Sequence, residues 1–271
     1  MTSRCPPHRL ALSRRAALAG SAALVAVGPR AAVAGSATGP VDKPRSFAAT
    51  HGSVPFDTRH LIPGASLDLA RINPAAAGAR VVALTIDDGP DANDRRILDL
   101  LKQHEARATF FCIGRKIAGA GVPIAKAIAE SGNEVGSHSH THPMMSDLSA
   151  TEQERNLSRA NAALAAIGVR PRWFRPPFGD FDDTTTGLAT AQGMQTVLWT
   201  IDSQDWKNTP AATIAARVTD RLAPGAVVLM HSTKAETVKA LPTILEAGHR
   251  KGFRFVTLTD WWAAMTAARS A

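Results

Sequence analysis

Cysteine is almost missing from this chain. Cys5 and Cys112 are the two among 271 residues, too few for a disulfide framework. Long apolar runs are missing as well. The run at residues 16–27 has 12 residues, against about 20 needed to cross a bilayer core, which excludes a stable spanning helix there. No glycine-rich phosphate loop follows the first predicted strand, so nothing supports a nucleotide-binding sheet. Internal repeats are also absent. What remains is 45% hydrophobic residues, enough to bury the core of one large domain or two small ones.

Residues 1–34 read as an export signal. Arg4, Arg9, Arg14 and Arg15 precede the short apolar run, and Ala32-Val33-Ala34 offers small residues where a signal peptidase would cut. Ser13-Arg14-Arg15-Ala16-Ala17-Leu18 is similar to a twin-arginine signal, with an uncleaved anchor as the alternative. Cleavage after Ala34 removes five arginines and no acid, so the net charge falls from +8 to +3. That mild balance suits an anionic wall and does not indicate nucleic acid. Residues 35–79, rich in Gly, Pro, Ala and Ser, read as a linker or extension. The expectation is a secreted or wall-associated monomer with one domain at 80–271. Cys112, in the apolar run at 108–113, is expected to be a buried inert thiol.

From Arg80 the pattern alternates apolar runs with amphipathic stretches. Strands are predicted at 81–86, 108–113, 134–137, 172–175, 195–201, 226–230 and 253–258, with helical patterns filling most gaps. Ser149-Ala150-Thr151-Glu152 has capping-box spacing and opens a helix running to about residue 167. Seven strands fall short of eight complete barrel units. The expected fold is therefore an α/β distorted, incomplete (β/α) barrel of about seven parallel strands, with a doubly wound open sheet as the alternative.

Polar clusters follow five of these strands: Asp87-Asp88-Gly89-Pro90, residues 138–143, Arg175-Pro176-Pro177-Phe178-Gly179, residues 202–206, and His231. In a barrel of parallel strands those ends converge on one face, where active sites form. Paired aspartates after a strand can be a turn and helix cap. Three histidines in five residues are costly to desolvate without partners, however. His138 and His142 can reach one ion with a carboxylate such as Asp88 as third ligand, leaving positions open as a catalytic zinc site does. His140, lying between them, is expected to point elsewhere. Trp173, Trp199, Trp261 and Trp262 are read as packing rather than catalysis.

Taken together, Thr85-Ile86-Asp87-Asp88-Gly89-Pro90, residues 138–143, Arg175-Pro176-Pro177-Phe178, residues 202–206 and Leu229-Met230-His231 resemble the five ordered motifs of the polysaccharide deacetylase family, the fourth carbohydrate esterase family. The likeness spans roughly residues 81–258. It implies that Asp88, His138 and His142 bind a divalent metal, zinc by default with cobalt, nickel or iron also fitting. It further implies Asp87 as general base held by Arg175, and His231 as general acid oriented by Asp205. The Phe178 backbone N–H would help hold the developing oxyanion, and Trp206 and Leu229 would shape the slot for the acetyl methyl group. The sequence departs from the family pattern at Ile86, where an aromatic is usual, and at Phe178, where tyrosine is common. Neither change removes a ligand or a proton carrier.

The implied substrate is a polysaccharide containing N-acetylglucosamine, peptidoglycan or chitin-like, hydrolysed at its N-acetyl groups. Rival readings are an acetylxylan esterase, a non-catalytic wall-binding protein, and a non-haem iron oxygenase. The last gives the Asp205 and His231 pair nothing to do.

Overall fold

The computed structural model describes residues 80–267. The export segment at 1–34, the extension at 35–79 with His51 and His60, and Cys5 all lie outside the described residues. Eight strands form one sheet: β1 (Val81–Gly89), β2 (Thr109–Cys112), β3 (Glu134–Ser137), β4 (Trp173–Phe174), β5 (Gln195–Thr196), β6 (Ile201–Asp202), β7 (Val227–His231) and β8 (Arg254–Val256). The helices between and after them are α1 (Asn93–Gln103), α2 (Gly121–Glu130), α3 (Ala150–Ala165), α4 (Asp183–Ala191), α5 (Ala211–Thr219), α6 (Ala235–Arg250) and α7 (Leu258–Ala267).

All the strand pairings are parallel. The order is β5-β4-β3-β2-β1-β7-β6, with β8 pairing the first residues of β1. The two edge strands, β5 and β6, are separated in sequence by residues 197–200 only. A flat sheet would hold its two edges about 29 Å apart, at about 4.8 Å per strand. The short connection can span at most about 19 Å, at 3.8 Å per Cα step. The sheet must therefore curl until its edges face each other across a seam, which makes it an incomplete α/β barrel.

Residues 197–200 cross that seam. Val197 N donates to Phe174 O on β4 at 2.9 Å, and Thr200 N donates to Val227 O on β7 at 2.9 Å. The single strand expected at 195–201 is thus two short strands on opposite edges. Its continuous apolar run reflects burial within the seam, not one continuous ladder.

Strand alternation sorts the core into two layers. Val82, Leu84, Ile86, Phe110, Cys112, Val228 and Met230 face the helices. Val81, Ala83, Phe111, Val227 and Leu229 face inward, where Trp173, Trp199, Trp261 and Trp262 join them. The tryptophans therefore pack, as expected, and α7 docks through two of them. Trp261 Nε1 donates to Gly225 O at 3.0 Å and Trp173 Nε1 to Thr259 Oγ1 at 3.1 Å. Thr85 and Asp87 share the inward parity of β1, so the same alternation that builds the core aims a carboxylate into the barrel. The capping box forms at α3, where Ser149 accepts from Glu152 N. Among the described residues no helix is long and apolar enough to cross a membrane.

Gly136 on β3 gives a direct test of this packing. A Cβ there would stand 2.6 Å from the Phe111 ring, which is fully buried. Gly136→Ala is expected to destabilise the domain by about 1–3 kcal/mol, read as a lower midpoint in urea unfolding at unchanged slope.

Candidate active site

Five loops at the carboxyl ends of the strands build one cleft of about 390 Å³. Asp87, Asp88, His138, His142, Phe178, Trp206, Leu229 and His231 all line it. Arg175 and Asp205 lie behind that lining, fully or almost fully buried. The sequence-predicted residues are thus brought together, eight at the surface of the cleft and two beneath it.

Arg175 follows β4 and reaches into the seam. Its Nη1 donates to Asp87 Oδ1 at 3.0 Å and to Thr85 Oγ1. Nη2 donates to Leu198 O at 2.7 Å, Nε to Val197 O at 3.3 Å, and the guanidinium lies 4.3 Å from the Phe111 ring centroid. Burial pushes the Arg175 pKa down, while the charge and hydrogen bond of Asp87 act against it. The carbonyl of the same residue accepts from His138 Nδ1 at 2.7 Å. That bond fixes the tautomer and leaves the His138 Nε2 lone pair facing the cleft.

Asp88 Oδ1 sits 3.1 Å from His142 Nε2 and 3.6 Å from His138 Nε2. It is buried with no hydrogen-bond partner, an arrangement costly for a carboxylate oxygen. One ligand atom from each of Asp88, His138 and His142 lies within 4.8 Å of the others. A cation between the three atoms would satisfy all of them, so the residues fit a metal. Burial tends to raise the Asp88 pKa, but the His142 contact and the charges of His138, His231 and His142 outweigh it and hold the carboxyl well below its usual range. Burial lowers the pKa of His138, despite the opposing charge of Asp87, which favours the neutral ring a metal needs.

His231, at the end of β7, pairs with Asp205. Its Nδ1 donates to Asp205 Oδ1 at 2.7 Å and its backbone N to Oδ2 at 2.7 Å, while Thr237 Oγ1 also donates to Oδ2. Burial opposes charge on the ring, but the hydrogen bond and charge of Asp205 prevail and raise the His231 pKa to about 9.

His140 takes no part. Its backbone N donates to Asn156 Oδ1, and its ring packs beside Gly114, away from the cluster. Nor do Asp87 and Asp88 cap a helix: the first turn of α1 is served by Asp91, whose Oδ1 accepts from Asn93 N. Met144, Pro176, Trp199, Asp202, Thr233 and Lys234 also line the cleft. Asp202 and Pro176 sit inside the quoted motifs. Met144, Thr233 and Lys234 carry no periodic signal, and the fold alone reveals them.

Backbone strain marks the same loops. Asp88, Ser139, His142, Phe178 and Gln204 all have positive φ, between 56° and 71°. Such conformations are uncommon outside glycine and gather at functional sites, and a bulky Phe178 at φ 59° is the least expected of them.

A polysaccharide deacetylase family model matches residues 75–197. A peptidoglycan-N-acetylglucosamine deacetylase of Bacillus cereus is 38% identical over 183 residues, covering 65% of this chain and 66% of the relative. Over the first three curated relatives the chain spans 66%, 51% and 38% of their own lengths. A family 4 carbohydrate esterase from Streptomyces lividans, solved with acetate, is 36% identical with a TM-score of 0.62, covering 65% of this chain and 91% of the esterase. A family 4 pseudoenzyme from Bacillus anthracis is 34% identical with a TM-score of 0.66, covering 73% of this chain and 72% of the neighbour.

Arg175 offers the sharpest structural test of the site. Arg175→Met leaves Asp87 buried without its cation and two seam carbonyls without a donor. The expected loss is about 3–5 kcal/mol, measured by chemical denaturation of the purified protein.

Proposed function

The chain belongs to the polysaccharide deacetylase family, and from that premise we propose that it is an exported, metal-dependent hydrolase removing N-acetyl groups from N-acetylglucosamine-containing glycans. The observation that carries this reading is the complete constellation in one cleft: the Asp88, His138 and His142 cluster, with Asp87 and His231 beside it and each held by its own partner. The names of the relatives favour peptidoglycan over chitin as substrate. Removal of residues 1–34 by an export signal peptidase, with 35–79 as a linker or extension before the catalytic domain at 80–271, is part of the same proposal.

Asp88, His138 and His142 would hold a divalent ion, zinc by its preference for imidazole and carboxylate, with cobalt, nickel or iron fitting the same donors. When bound there, such an ion would supply polarisation of the acetamide carbonyl and a lower pKa for water. The rest falls to the chain. Asp87, fixed by Arg175, takes a proton from water as the oxygen bonds to the acetyl carbon. His231, protonated at neutral pH, delivers a proton to the amide nitrogen as the carbon–nitrogen bond breaks. Acetate and a free amine result. A positioned acid or base contributes about 10²–10⁴-fold. The backbone N–H of Phe178 would hold the negative charge that develops on the carbonyl oxygen, and Trp206 and Leu229 would confine the methyl group.

Fold likeness alone does not decide activity, since one of the neighbours is a pseudoenzyme. The test is acetate release from N-acetylchitooligosaccharides, peptidoglycan and acetylxylan, with and without chelator. Release is expected from the amino-sugar substrates, abolished by chelator, restored by added metal and lost in His138→Ala. Absence of release from every substrate by folded, metal-loaded protein contradicts the proposal, and release from acetylxylan alone moves it to ester hydrolysis.

The acid has its own signature. The folded-state pKa of His231 is raised to about 9, so the protonated ring persists through neutral pH and is lost as pH rises through that value. Asp205→Asn removes the main cause that raises it. The alkaline limb of the rate profile is expected to move toward the ordinary imidazole range, near 6.5, with a lower maximum.

A further inference from the structure

Lys234 is the lysine lining the cleft, three residues beyond His231. It lies half-buried in the segment between β7 and α6. Among the described residues its ammonium has neither a hydrogen bond nor an ion pair. The acids close to it in sequence or in the same cleft have other partners. Glu236 holds Lys239 at 2.6 Å and Ala211 N at 3.0 Å. Asp205 is taken by His231 and Thr237, and Asp87 by Arg175. Asp202, in the same cleft, accepts from Gln204 N at 2.8 Å. A long flexible cation at the wall of a substrate cleft, uncompensated by the protein, is a ready contact for an anion brought by the ligand.

The other cation near this wall differs in a useful way. Lys207 stands 4.8 Å from the Trp206 ring centroid and does not line the cleft. Trp206 and Phe178 are among the exposed large hydrophobic residues, and both line the cleft. Lys234 lines the same cleft as these apolar walls, where a sugar ring would be seated.

We propose that Lys234 is a specificity-determining residue that pairs with a carboxylate carried by the glycan, and so selects acidic amino-sugar polymers over neutral ones. The inference rests on the deacetylase reading above. In peptidoglycan the carboxylate comes either from the lactyl ether of muramic acid or from the stem peptide. Both present the same chemistry, and the substrates below separate them.

The experiment measures kcat/KM for acetate release by the full chain on four substrates. These are neutral N-acetylchitotetraose, a peptide-free peptidoglycan tetrasaccharide with free lactyl carboxylates, its lactyl methyl ester, and the same tetrasaccharide bearing stem peptides. An ion pair open to solvent contributes up to about 1 kcal/mol, or about fivefold. Wild type is expected to prefer a carboxylate-bearing substrate over its neutral counterpart by about that factor. If the lactyl group is the source, the methyl ester loses the preference. If the peptide is the source, the peptide-bearing strand alone shows it. In Lys234→Met the preference disappears, whereas Lys234→Arg retains it. Lys207→Met, which removes the same charge outside the cleft, leaves the preference in place.

An unchanged preference in Lys234→Met, or an equal loss in Lys207→Met, overturns the inference while leaving the deacetylase reading intact. No release by wild type from any of the four substrates instead removes the reading on which the inference depends. Raising the salt concentration gives an independent readout: it should erode the wild-type preference and leave Lys234→Met unaffected.

Discussion

One buried guanidinium organises this domain. Removing an arginine from water costs several kcal/mol, and only good geometry with every donor occupied offsets that. Arg175 comes close to this by placing four of its five N–H donors on the Asp87 carboxylate, the Thr85 hydroxyl and two main-chain carbonyls at 197 and 198, with the guanidinium against the Phe111 ring. Those carbonyls belong to the segment that crosses the seam, where no neighbouring strand supplies donors for them. The charge that closes the barrel is therefore the charge that orients the proposed base. Through its own carbonyl, Arg175 also sets the ring of His138. Structure and chemistry meet in this residue, and neither half of the site is independent of it.

Much of this was legible in the sequence because strands buried on both faces leave short continuous apolar runs, and the polar residues that end them stand out. The strand at 134–137 appears where the pattern puts it, and the clusters at 87–88, 138–142, 175, 205 and 231 do converge. The seam was not legible. Residues 195–201 read as one strand because Val197, Leu198 and Trp199 are buried, but the pattern cannot tell whether a carbonyl is met by a neighbouring strand or by an arginine. Lys234 and Met144 escaped for another reason. Loop residues obey no period, and their place in the cleft depends on how the loops close.

Backbone strain and the unmet Asp88 Oδ1 coincide in one small region. Positive φ at Asp88, His142 and Phe178 is sustained by a surrounding structure that leaves these residues no cheaper conformation. Asp88 Oδ1 is buried without a hydrogen bond although two imidazoles face it. A bound cation would offset the cost of the unmet carboxylate oxygen. The proposed metal-ligand role of Asp88, His138 and His142 thus has support in the chain's own energetics as well as in family likeness. His140 supplies the contrast: equally close in sequence, it is turned toward Gly114 and α3 and meets neither Asp88 nor its histidine neighbours.

Since a neighbour of the same fold is a pseudoenzyme, proton transfer by Asp87 is what separates a working deacetylase from an inactive relative. The most direct measurement compares acetate release by the parent protein and Asp87→Asn on an N-acetylchitooligosaccharide, with both proteins loaded to the same metal content. The variant is expected to fold, hold its metal and bind the oligosaccharide, with release slower by about 10²–10⁴-fold. Equal rates in the two proteins would contradict it.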